Sequence, residues 1–301
     1  MAKSSLSRFM TRAYRRPIQE AEVEKLLKLF DQGFQRGGSM EAGMRLAIQG
    51  VLTSPNFLFR LELDDRPSPG KAVELNPYQL ASRLSYFLWS SMPDEALFAK
   101  AADGSLLKPE VLKQETARML ADPKSEALAE SFAMQWLEIE RLTTRLPDPK
   151  KYPTWTEDLK QDMVTETRLF AAEVMRGNRS ILDFIDGPYT FVNDRLARHY
   201  GIKGVSGPEF RKVSLEGTPR GGILTQGSVL TATSNPTRTS PVKRGKWVLD
   251  AILGSPPPPP PPGVSVLLPE VKENKVLTMR EKLEVHLKDP ICASCHVKMD
   301  P

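Results

Sequence analysis

The chain has 301 residues, 40% hydrophobic and 26% charged, with 42 Lys and Arg against 37 Asp and Glu for a formal net charge of +5. These are ordinary globular proportions, with enough chain for more than one module and a sizeable core. The basic residues are dispersed among acids along helix-like stretches, which excludes a nucleic-acid-binding stripe, and no apolar run approaches the ~18 residues of a membrane span.

The first segment, from Ser7 to Glu62, predicts a helical hairpin. Pro17 suits a helix start, and Glu20 and Glu22 follow where acids favour the positive end of the helix dipole. Val23, Leu26, Leu27 and Phe30 recur at helical spacing until Gly37-Gly38 ends the run. A second helix from about Met40 presents Met44, Ala47, Ile48, Val51 and Leu52 on one face and stops before Pro55. Phe57, Leu58, Phe59 and Leu61 read as core. Residues 64–72, with Pro67, Pro69 and Gly70, read as a linker.

Asn76-Pro77 then opens a helix through Leu80, Leu84, Phe87 and Leu88, and Pro93-Asp94-Glu95 opens the next. Amphipathic helices are predicted over Pro109–Leu120, Ser125–Ile139 and Glu157–Met175, the last stopped by Arg176-Gly177-Asn178. Glu166 and Glu173 share a face of that helix and read as surface acids. His199 closes a helix before Gly201, a structural role for a cation at a helix C-terminus. Strands with period 2 are scarce, so the fold class is mainly α.

From Gly201 the segments shorten and Gly, Pro and Thr become frequent. A small-residue helix or turn is expected near Val229-Leu230, and a polar loop over Thr231–Ser240. Ser240-Pro241 caps a helix through Trp247, Val248, Leu249 and Ile252, with Gly254 as its stop. Seven prolines over 256–262 predict a stiff polyproline II strut, extended by about 3 Å per residue. The organisation read from these signals is an N-terminal helical module over 1–66, a central helical module over 72–203 and a loop-rich C-terminal module over 204–301.

Beyond the strut, Leu277 to Leu287 reads as a charged helix, closed by Asp289-Pro290. It leads into Cys292-Ala293-Ser294-Cys295-His296, in a chain with only two Cys and three His. Two thiols three positions apart, followed at once by histidine, is the spacing of covalent c-type haem attachment. One turn separates the thiols, so both reach the vinyl groups along one porphyrin edge, and the adjacent imidazole becomes the proximal iron ligand. A redox pair of the thioredoxin type is a rival reading, but it wants a strand before the motif. A structural zinc clip from Cys292, Cys295, His296 and His286 is another. Only haem uses all five positions.

Haem c, with its iron on His296, is therefore the expected cofactor. Met299 would lie on the same side of the ring as His296, which leaves His286 as the nearest candidate for the second axial ligand; a distant Met163, Met175 or Met279 is the other option. Arg238, Lys243, Arg244 and Lys246 cluster where they could meet the haem propionates. Covalent haem attachment occurs outside the cytoplasmic membrane, so an extracytoplasmic site is expected. Residues Met1 to Leu6 nevertheless lack the apolar region of a signal peptide. The chain is accordingly read as a piece of a longer one.

Several stretches carry a family resemblance: RAYRRPIQEAEVEKLLKLF over 12–30 and LTSPNFLFRLE over 52–62; LASRLSYFLWSSMPDEAL over 80–97 and DGPYTFVNDRLARHYGI over 186–202; and RGGILTQGSVLTATSNPTRTSPVKRGKWVLDAILGSPPPPPPPGV over 220–264 with REKLEVHLKDPICASCHVKMDP over 280–301. Together they resemble the large exported proteins of planctomycetes and related bacteria, in which cytochrome-c-like motifs stand amid domains of unknown function. The resemblance implies an extracytoplasmic haem-binding redox protein. The expectation is a mostly helical scaffold carrying one haem on Cys292, Cys295 and His296 and exchanging electrons with a partner protein or adjacent domain. The alternatives are a haem-dependent oxidoreductase whose helical body binds substrate, and a surface scaffold with a zinc clip.

Overall fold

The computed structural model describes residues 2–62, 72–144, 146–259, 278–288 and 290–299, without the side chains of Met279, Val285, His286, Ile291, Ser294 and Cys295. The linker predicted over 64–72, apart from Ala72, and the proline strut beyond Pro259 lie outside the described residues. The chain is mainly α, with two short strands among the described residues. It divides into two compact units, Met1–Leu128 and Ala129–Pro301. No described helix is long and apolar enough to cross a membrane.

The first unit begins with four helices, α1 (Ala2–Tyr14), α2 (Glu20–Gly37), α3 (Met40–Leu52) and α4 (Pro55–Leu58). The predicted hairpin is α2 and α3; α1 was not anticipated. Its sparse stripe of Leu6, Met10, Ala13 and Tyr14 is buried against Val23, Phe30, Ala47 and Val51. Pro17 precedes the helix rather than opening it: the N-cap is Gln19, whose amide donates to Glu22 Oε2 at 2.8 Å. α2 and α3 approach closely because Gly33 and Gly43 carry no Cβ; one at Gly33 would meet the Ala42 carbonyl at 2.6 Å, one at Gly43 the Phe30 ring at 2.7 Å.

Arg15, buried and at φ 57°, ends α1 and donates to the carbonyls of Asn56, Phe57 and Phe59 at 2.8, 3.2 and 2.8 Å. It thereby ties three carbonyls of the following segment to the end of α1. The segment it holds was expected in the core, but Leu58 and Phe59 are each 60% exposed. After it come α5 (Pro77–Trp89), α6 (Glu95–Ala102) and α7 (Pro109–Ala121). Asn76 and Gln79 form a reciprocal cap at the start of α5, and Asp94 caps α6 while pairing with Arg118 of α7 at 2.8 Å. Trp89 Nε1 donates to the Met119 carbonyl at 2.9 Å and ties α5 to α7.

The second unit contains α8 (Met134–Trp136), α9 (Glu157–Arg176), α10 (Asp183–Asp186), β1 (Tyr189–Val192), α11 (Asp194–Tyr200), β2 (Arg211–Ser214), α12 (Gly227–Ala232), α13 (Pro241–Trp247), α14 (Met279–His286) and α15 (Pro290–Met299). The helix expected over 125–139 is broken: Leu128–Ala133 is π-helical, α8 is one turn, and Glu138 at φ 55° redirects the chain into a 3-10 turn. β1 and β2 pair antiparallel, with Tyr189 opposite Ser214 and Val192 opposite Arg211. α9 is the spine. Its Phe170, Ala171 and Val174 enter a core with Leu137, Phe184, Tyr189, Val229 and Trp247. Each large apolar side chain buried there contributes about 1.5–3 kcal/mol.

Candidate functional site

Ser240 caps α13, its hydroxyl accepting from the Lys243 amide, and Pro241 takes the first helical position, where its missing N–H costs nothing. The face of α13 at Gly245 receives the end of α15. A Cβ at Gly245 would collide with the backbone carbonyl of Met299. The motif helix thus rests directly on α13.

On α15, Cys292, Cys295 and His296 stand at positions i, i+3 and i+4 of one continuous helix, which puts them on one face. Cys292 is half-buried and without a disulfide partner, and His296 is half-buried. Cys295 lies on the described backbone between them; its side chain is outside the described residues. His286 is the last residue of α14, one short turn before α15, and its side chain is likewise outside the description. Thr278 donates to Glu281 Oε2 from its amide at 2.7 Å and from its hydroxyl at 2.9 Å, a local clamp that starts α14. Met299 ends α15, one turn past His296. Two cysteines and a histidine at these positions of one helix fit the attachment and proximal ligation of a c-type haem. Among the described side chains no three His, Cys, Asp or Glu converge as a metal cage would.

The four basic residues expected near the motif differ in what holds them. Lys246 pairs with Asp250, and Lys243 donates to Asn235. Arg238 joins an isolated bridge with Asn235, its amide donating to the Asn235 carbonyl at 3.4 Å and its own carbonyl accepting from the Asn235 amide at 2.9 Å. Arg244 donates only to neutral oxygens among the described residues, those of Leu230, Thr233, Ser234 and Thr239. His199, near the end of α11 with Gly201 at φ 74° as its cap, has its pKa lowered by desolvation and by the Arg220 charge.

Sequence reasoning missed one group altogether. Glu166 of α9, read as a surface acid beside Glu173, is 1% exposed. Thr190 of β1 donates to Glu166 Oε1 at 2.5 Å and Tyr200 of α11 to Oε2 at 2.6 Å. Tyr200 Oη in turn accepts from the Gly227 amide at the start of α12, at 2.7 Å. Burial pushes the Glu166 carboxyl up to about 7, against the two hydroxyl donors and the Arg220 charge. Arg220 lies over the Tyr200 ring, 3.9 Å from its centroid. Glu173, by contrast, is a surface partner of Lys212 at 2.6 Å. The signal was present in the helix period: Leu159, Met163, Phe170 and Val174 define the buried stripe, and Glu166 falls in its middle. The arrangement pins a strand and two helices to α9 through one carboxylate. Its two oxygens are each engaged by a protein hydroxyl.

Three family models match the chain in succession. Residues 1–62 match PSD5, a protein of unknown function (DUF1595); residues 75–202 match PSD4, a protein of unknown function (DUF1592); residues 220–301 match PSCyt3, a protein of unknown function (DUF1588). No curated protein and no solved structure matches the chain.

Proposed function

We propose that the chain is the haem-bearing part of an extracytoplasmic redox system, with one c-type haem held on α15 and electrons exchanged with a partner protein or adjacent domain. The observation that carries this reading is the placement of Cys292, Cys295 and His296 on a single helical face, one turn apart. Cys292 and Cys295 would supply the two thioether links and His296 the proximal imidazole. A haem bound there supplies a one-electron iron couple. The chain's own contribution is orientation: α13 receives α15 at Gly245, which sets the motif helix beside the basic residues of α13 and of the loop before it. His286, at the end of α14, is the proposed second axial ligand; two imidazoles would set a lower potential than an imidazole and a thioether.

The test is expression of the chain with a c-type maturation system in an export-competent host. The expected result is a reduced pyridine haemochrome spectrum and a polypeptide mass raised by one covalently bound haem. An unmodified mass under those conditions overturns the reading, and stoichiometric zinc in the same preparation would establish the Cys/His clip instead. Carbon monoxide adding readily to the reduced protein would show an open iron position and favour an oxidoreductase over a pure electron carrier. His286→Ala is expected to alter the reduced spectrum.

A further inference from the structure

The second unit holds a cavity of about 400 Å3, within the roughly 300–1,000 Å3 of small-ligand sites. Its walls are apolar and aromatic: Tyr152 and Trp155 from the loop before α9, Leu159 and Met163 from α9 itself. Hydroxyls and an amide, including Thr239 and Asn235, line the other side. Among the described lining residues one full charge faces it, Arg244.

The partners of that guanidinium are inadequate for a half-buried cation. Nε reaches Thr233 Oγ1 at 3.3 Å, and one terminal nitrogen reaches the Leu230 carbonyl, Ser234 Oγ and Thr239 Oγ1 at 3.4, 3.5 and 3.2 Å. Charge-assisted bonds to an anion run at about 2.7–2.9 Å. All four acceptors are neutral, and no carboxylate contacts Arg244 among the described residues. Arg179, Arg195 and Arg198 of the same unit each hold an aspartate. Burial lowers the Arg244 pKa, with no anion among the described residues to oppose it. An arginine stays charged in a protein, so desolvating it without an anion is a standing cost. A carboxylate entering the cavity would remove that cost while its body covers the apolar wall.

We propose that this cavity binds a small amphiphilic carboxylate, its flat apolar body against Tyr152, Trp155 and Met163 and its anionic group on Arg244. The carboxylate has two conceivable sources. One is a free aromatic or alicyclic acid. The other is the propionate edge of a porphyrin on α15, because α13 carries both Arg244 and the Gly245 seat for that helix. The inference goes beyond the haem reading and, for a free acid, stands without it.

The experiment uses the full chain in two forms: Cys292→Ala with Cys295→Ala, which cannot attach haem, and the chain matured for c-type haem, with haem content read by absorbance. The probes are 2-naphthoate and its neutral counterpart 2-naphthamide, titrated calorimetrically. The haem-free form should bind one 2-naphthoate, at least about tenfold tighter than 2-naphthamide, a difference of ~1.4 kcal/mol. Arg244→Gln should erase that preference and leave the 2-naphthamide affinity within about twofold. If Arg244→Gln does not fold, Trp155→Leu must weaken both probes together and Arg244→Lys must keep part of the preference.

Binding to both forms identifies a free acid as the ligand, and binding to the haem-free form alone identifies the propionate. No 2-naphthoate binding to the haem-free form, or binding indifferent to Arg244, overturns the proposal. Failure of the haem reading shows separately, as absent haem absorbance in the matured chain, whatever the naphthoate result.

Discussion

α9 and α15 carry the polar chemistry of the second unit in opposite ways. On α15 the chemistry is written in the spacing of rare residues, and the described packing adds little: Leu283 of α14 is the one buried apolar residue among the described side chains of the last two helices, and none of those side chains belongs to the main core. On α9 the residue types are common, and packing creates the chemistry. Glu166 is one of many acids until the strand and helices packed on α9 exclude water from it. The covalent attachment proposed for α15 would work from a peripheral helix, because thioether bonds do not depend on burial. A carboxyl tuned to about 7 cannot, because desolvation is what tunes it.

The sharpest way to break this comparison is to remove one group of α15. His296→Ala should abolish the low-spin haem spectrum of the matured chain, an all-or-none loss, while Cys292→Ala should leave at most one thioether link by mass. In the haem-free chain the same helix should tolerate change. Val297, 60% exposed, replaced by Ala should move stability by no more than about 0.5 kcal/mol. A large loss there would mean that α15 belongs to the core after all.

The next effect belongs to α9. Phe170 is fully buried, stacked on Tyr189 with ring centroids 5.0 Å apart and in edge contact with Phe184 at 6.2 Å. Phe170→Ala should cost about 3–5 kcal/mol, measured by denaturant unfolding, through lost transfer energy and the cavity left behind. A cost under about 1 kcal/mol would remove α9 as the spine.

Glu166 gives a pH dependence of the opposite sense to that of a paired surface acid. Its folded pKa of about 7 stands above the ordinary 4.5, so the folded chain binds the extra proton between those values. Its contribution to stability is complete below about 4.5 and is lost as pH rises through about 7. The span corresponds to ~3 kcal/mol at most. Melting followed from pH 4.5 to 8 should show this decline, and Glu166→Gln should flatten it. A decline that persists unchanged in Glu166→Gln would assign the titration to another group.

What the sequence disclosed follows the same division. The starts of α5, α6, α9 and α13 were legible because Asn76, Asp94, Thr156 and Ser240 act within three residues of themselves. The Cys292–His296 spacing was legible for the same local reason. α1 was not, since Leu6 and Met10 are sparse among polar and charged residues and become a buried stripe only against α2 and α3. The π-helical stretch over 128–133 was hidden because it shifts the facing of Ala129, Ala133 and Leu137, a matter of tertiary packing. Phe59 misled: its hydrophobicity suggested core, whereas its carbonyl is what Arg15 requires. Arg244 was legible as a basic residue near the motif, but the cavity it faces is assembled from α9, α11, α12 and the loops around them.

The smallest effect tests the joint between the helices. Gly245→Ala places a methyl where the Met299 carbonyl now lies. Inserting a methyl at a close-packed contact costs about 1–3 kcal/mol when the surroundings are rigid. Here the neighbour is α15, none of whose described side chains is fully buried, so the helix should move and the core should not. The melting temperature of the haem-free chain should therefore change by no more than about 2 °C, while alkylation of the half-buried Cys292 thiol accelerates several-fold. If instead the whole unit loses stability and Cys292 reacts at its original rate, α13 yields rather than α15. The motif helix would then be as much a part of the fold as α9.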